Sequence, residues 1–83
     1  MDEKQWRRRF AKELVDRMVE KGMTQADLSR ATGLSQVTIH RYAYCDRTAN
    51  AYDILKIAKA LDCTVSELIE FDEIDITEKG EEK

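Results

Sequence analysis

The sequence predicts an all-α fold built from five short helices, and three observations predict it. Proline is absent and glycine occurs only three times in 83 residues. Ala, Leu, Glu, Lys and Arg, all good helix formers, dominate instead. Residues that cap helix starts recur at helix-length intervals, at Thr24, Ser35, Asn50 and the capping box Thr64-Val65-Ser66-Glu67. Between them, apolar residues return every three or four positions, as one buried helix face requires. Local signals of different kinds thus agree on one architecture.

The first helix is expected from Glu3 to Lys21, with Asp2 as its cap. Trp6, Phe10, Leu14 and Met18 recur every four residues, and Ala11, Val15 and Val19 widen that stripe into a core-facing surface. Arg7, Arg8, Arg9, Lys12, Asp16 and Glu20 fall between them and form a solvated face, from which Arg7 to Arg9 can also reach a phosphate or a partner. Gly22 ends the helix. Thr24 caps the second helix, with Asp27 suited to its positive start. Gly33 can take the left-handed backbone that closes it, and Ser35 then caps the third. Asn50 caps a fourth helix, Ala51 to Leu61, which presents Ala51, Ile54, Leu55, Ala58 and Leu61 inward. The fifth helix contributes Val65, Leu68 and Ile69, and Cys63 packs as core at the joint before it.

Two segments follow: a helical domain over residues 1–71 and an acidic tail over 72–83. The tail segment EIDIT alternates like a short strand, and TEKGEEK is polar throughout. The tail is therefore either disordered or a strand that pairs with a second chain.

The formal net charge is −3. Its distribution is uneven: residues 1–21 carry +2, residues 22–61 carry +2, and residues 62–83 carry −7. The body is mildly basic, which suits a modest and salt-sensitive affinity for a polyanion. No apolar run is long enough to span a bilayer, and the N-terminus MDEKQWRRRF lacks the apolar stretch of a secretion signal. A cytoplasmic protein is expected. Cys45 and Cys63 have neither CxxC nor Cys/His spacing, so they read as reduced thiols, with no metal and no cofactor.

The most informative stretch is TQADLSRATGLSQVTIHRYAY, residues 24–44. Leu28, Leu34, Ile39 and Tyr42 are apolar where two crossing helices must pack, and Ser29 is small where they come closest. Helical periodicity then gathers Gln36, Val37, His40, Arg41 and Tyr44 on one outer face. A slim polar ridge held away from its own core is what a DNA major groove admits.

This pattern resembles the helix-turn-helix of the Cro and phage-repressor family, the XRE type. The matching residues are Thr24-Gln25, Leu28-Ser29, Gly33-Leu34-Ser35-Gln36, Thr38-Ile39, the run Ile54 to Leu61, and Glu67-Leu68-Ile69. Together they span residues 14–69. The resemblance implies a five-helix lambda-repressor-like domain that binds operator DNA, usually as a dimer. In two places the chain departs from the family pattern. Cys45 stands where many members close the third helix with glycine, and a lengthened helix is expected. Ala49 replaces a common proline, which leaves the following loop less rigid.

Four residues are expected to contact bases. Gln36 can pair with adenine N6 and N7, and Val37 offers an apolar surface to a thymine methyl. Arg41 can fork onto guanine O6 and N7 or reach a phosphate instead. His40 lies between them, and as the lone histidine it offers a pH-dependent contact. Phosphate contacts are expected from Gln25 at the start of the second helix, from the caps Thr24 and Ser35, from Tyr44, and from the loop residues Arg47, Thr48 and Asn50. Tyr44 could equally face a dimer partner.

The functional expectation is a sequence-specific transcriptional regulator. It would be a homodimeric repressor of prophage or mobile-element type, as the resemblance implies. Two recognition helices about 34 Å apart would read an inverted repeat in double-stranded DNA. The alternative is an antitoxin-like module whose acidic C-terminal segment, with Phe71, Ile74 and Ile76, binds a basic partner protein. No nucleophile–base pair, metal spacing or phosphate-binding glycine loop argues for an enzyme.

Overall fold

Asp2 starts the first helix. Its side chain accepts from the Gln5 backbone N–H at 2.8 Å, while the Gln5 side chain accepts from the Asp2 N–H at 3.1 Å. This reciprocal pair satisfies two of the donors that every helix start leaves open. The computed structural model of the chain describes residues 2–69. Over them it is all-helical: α1 (Glu3–Lys21), α2 (Gln25–Thr32), α3 (Gln36–Ala43), α4 (Ala51–Ala60) and α5 (Val65–Ile69). The strand-like EIDIT segment and the boundary at residue 71 lie outside the described residues.

Every expected cap is in place. Thr24 and Asp27 form a capping box at 3.0 Å in both directions. The Ser35 hydroxyl accepts from the Thr38 N–H at 3.1 Å, and Asn50 Oδ1 accepts from the Asp53 N–H at 2.8 Å. Thr64 and Glu67 complete a third box, at 2.8 and 3.0 Å. Gly22 and Gly33, with φ of 66° and 79°, end α1 and α2 in the left-handed region that glycine enters without a steric penalty.

The core gathers Phe10, Leu14 and Met18 of α1 with Leu28, Ile39, Tyr42, Ala49, Ile54, Ile57, Ala58, Leu61 and Leu68. Trp6, Leu34, Cys63 and Ile69 pack against its edge, half-buried. The Trp6 ring stacks on Phe10, and Phe10 meets Tyr42 edge-on with centroids 6.2 Å apart. The first turns of α1 are thereby seated against the last turn of α3.

Three expectations need correction. Val15 and Val19 do not widen the buried stripe: they are 39% and 74% exposed. They follow Leu14 and Met18 by one residue, about 100° further round the helix, and the face that packs on α3 and α5 does not extend that far. On α4, Ala51 and Leu55 turn outward, and Ile57 is fully buried in their place. Ile54, Ile57, Ala58 and Leu61 share the i, i+3, i+4, i+7 row, which leaves Leu55 beside it.

The third correction concerns Cys45. Instead of lengthening α3, it takes the left-handed conformation itself, at φ 63°. The helix ends at Ala43, and the Asp46 N–H returns to the Arg41 carbonyl at 2.8 Å. Closing the helix carbonyls in this way outweighs the cost of a side chain at positive φ, on the order of 1–2 kcal/mol.

Candidate nucleic-acid interface

α2 and α3 are held at a fixed crossing by the turn between them. Leu28 and Ile39 are fully buried between the two helices and the core. The Ser29 hydroxyl donates to the Leu34 carbonyl, and the Thr32 hydroxyl donates to the Leu28 carbonyl at 2.8 Å while accepting from the Leu34 N–H at 3.1 Å. Ser29 is thus a tie across the turn as well as a small residue in it, which its sequence position alone does not reveal.

With one side of α3 spent on this packing, the other is presented to solvent. Gln36, Val37, His40 and Arg41 are all exposed, Val37 to 60%. Together with Gln25 from the start of α2 and Asp46 from the loop after α3, they line one shallow open depression. The structure therefore brings the four expected base-contacting residues together, with Gln25 lining the same depression. Asp46 was not anticipated there. Its place follows from the turn at Cys45, which folds the chain back toward Arg41.

Further along the ridge, His40 and Tyr44 stack face to face, with ring centroids 4.1 Å apart and planes inclined by 21°. One turn of helix separates them, so the pair is a local product of i, i+4 spacing. Tyr44 stays 62% exposed. Thr38 is half-buried, and its hydroxyl accepts from Ser35 at 3.0 Å.

The remaining expected anchors divide into two groups. Thr24 and Ser35 are exposed at the starts of α2 and α3, and their oxygens serve as caps. Arg47 is exposed with its guanidinium 5.8 Å from the Tyr42 ring centroid, a cation–π approach that sets it beside the end of α3. Thr48 and Asn50, by contrast, use their polar atoms within the protein. Asn50 caps α4. The Thr48 hydroxyl accepts from Arg7 Nε at 2.8 Å and donates to the Glu3 carboxylate. Arg7 is thus tied to this loop, and no periodicity in the sequence signals a link across 41 residues.

Behind the ridge, the Tyr42 hydroxyl donates to the Asp53 carboxylate, and both residues are buried. Burial, reinforced by this bond, pushes the Tyr42 phenol up to about 12.

A hydrogen-bonding ridge beside two helix starts can hold a polyanion and interrogate base edges. A Cro/C1-type helix-turn-helix DNA-binding domain model matches residues 13–73. The chain belongs to that family. In this domain α2 and α3 make the helix-turn-helix. The family binds DNA and is generally non-enzymatic. No curated protein matches the chain closely enough to add to this assignment. Among the described residues no group of His, Cys, Asp and Glu could hold a metal ion, and no helix is long and apolar enough to cross a membrane.

Proposed function

We propose that this Cro/C1-type chain is a sequence-specific transcriptional regulator that binds an inverted-repeat operator as a homodimer and acts as a repressor. Gln36, Val37, His40 and Arg41 read bases. Gln25, Thr24, Ser35, Tyr44 and Arg47 hold backbone phosphates. The observation that carries this reading is the exposure of Gln36, Val37, His40 and Arg41 in one depression that Gln25 also lines. Phosphate contacts there would fix the register in which the ridge meets the bases.

Selection of bound duplexes from a random library tests the proposal. A two-fold symmetric consensus is the expected result, because a homodimer reads both half-sites alike. Recovery of no consensus, or of one without symmetry, overturns the homodimeric reading. Transcription from a reporter carrying that consensus then separates repression from activation.

A further inference from the structure

We infer that Arg7 and Thr48 form a phosphate-binding site beside the C-terminal end of the recognition helix, and that the Glu3 carboxylate fills it while the protein is free of DNA. The inference rests on the DNA-binding reading above and adds a contact and a built-in competitor to it.

Two donors converge on a single oxygen. Arg7 Nη2 donates to Glu3 Oε2 at 3.2 Å, and the Thr48 hydroxyl donates to the same oxygen. Arg7 Nε also holds that hydroxyl, at 2.8 Å. A guanidinium and a hydroxyl directed at one anionic oxygen suit a phosphodiester as well as they suit a carboxylate. The Thr48 bond is the largest reason, with Arg7 second, that the Glu3 carboxyl lies below its usual range. The occupant is therefore an anion throughout the neutral range.

Its position suits the duplex. Phe10 against Tyr42 seats the start of α1 on the last turn of α3, and Thr48 lies in the loop that leaves this turn. Arg47, one residue earlier, is exposed on the same loop. A phosphate flanking the base contacts of α3 would meet this loop first. Glu3 can leave readily, because its side chain is 64% exposed on the first turn of α1, whereas that of Arg7 is only 32% exposed.

The test uses the full chain and a pool of random-sequence duplex DNA, titrated by fluorescence anisotropy between about 50 and 200 mM salt, the range over which phosphate contacts register. Glu3→Gln keeps the side-chain shape and removes the competing charge. It should bind about 3- to 10-fold more tightly, with the salt dependence steepened by about one phosphate contact. Asp16→Asn is the control for loss of a charge elsewhere on α1, where Asp16 pairs with exposed Lys12, and it should gain less. In an Arg7→Gln background the Glu3→Gln gain should vanish. Wild-type binding with no advantage of Glu3→Gln over Asp16→Asn overturns the inference alone, as does a gain that survives without Arg7. Failure of the wild type and every folded variant to bind overturns the DNA-binding reading as well.

Discussion

The Tyr42 hydroxyl and the Asp53 carboxylate meet in a buried hydrogen bond that fastens the last turn of α3 to the first turn of α4. Asp53 is held from its other side by the Asn50 cap on its N–H. The bond thus braces the loop that carries the chain from α3 into α4.

Removing one partner of this pair is expected to cost stability. Tyr42→Phe leaves a buried carboxylate without its donor and should lower the unfolding free energy by about 1–3 kcal/mol. Chemical denaturation at pH 7 measures the loss. The helix content should be retained, because Phe keeps the ring that packs on Phe10.

The same bond predicts alkaline behaviour. The Tyr42 phenol is raised to about 12 in the folded state from 10.0. Its contribution is therefore fully present below pH 10 and is lost as the pH rises toward 12, by an amount on the order of 2 kcal/mol. Unfolding curves collected from pH 8 to 12 should show this fall in the wild type, and Tyr42→Phe should lack it. A parallel fall in both proteins would remove Tyr42 as the cause.

At the acid end, the capping boxes set the sign. Asp27 is lowered first by the Thr24 backbone N–H, and Glu67 first by that of Thr64. Lowered carboxyls contribute stability above their usual range and lose it as the pH falls through their depressed values. Thr24→Ala should cost about 1 kcal/mol at neutral pH through the lost cap. Asp27→Asn should flatten the acid limb of the stability profile, measured between pH 2 and 6.

Cys45→Gly should stabilise the domain. Glycine relieves the left-handed strain at φ 63° and gives back part of the gain through its freer unfolded chain, leaving about 0.5–1 kcal/mol. An increased denaturation midpoint with unchanged slope is the expected readout. A decrease would mean that the half-buried Cys45 side chain contributes more packing than its backbone costs.

The division between reading and anchoring is tested by two alanine variants. Gln36→Ala should relax preference at one base position, by about 1–3 kcal/mol of discrimination. Gln25→Ala should weaken all sequences alike. Selection profiles and salt titrations of the two proteins distinguish the outcomes, and identical profiles would contradict the assigned roles.

The sequence was most legible where a signal is local. Asp2, Thr24, Ser35, Asn50 and Thr64 each cap within three residues of themselves, so position alone identifies them. The outward row on α3 followed from helical period once Ile39 and Tyr42 were assigned inward. Burial at the margins of a stripe was less legible. Whether Val15, Val19 or Leu55 is covered depends on how far a neighbouring helix extends, which their own helix does not encode. Long-range polar ties were illegible for the same reason: Arg7 with Thr48 and Tyr42 with Asp53 join residues that no periodicity relates. At Cys45 the rule against positive φ lost to the need to close α3 at Ala43.

The shortness of α3 limits how much text it can hold. Its eight residues make a rod about 12 Å long, which spans roughly four steps of duplex at about 3.4 Å each. A four-letter word recurs by chance every few hundred positions, with only about four choices per step. One ridge therefore cannot mark a unique address in a genome, while two ridges held at a fixed spacing square the odds against coincidence. Vocabulary in such a domain is set by how many copies are joined, and only secondarily by what each one says.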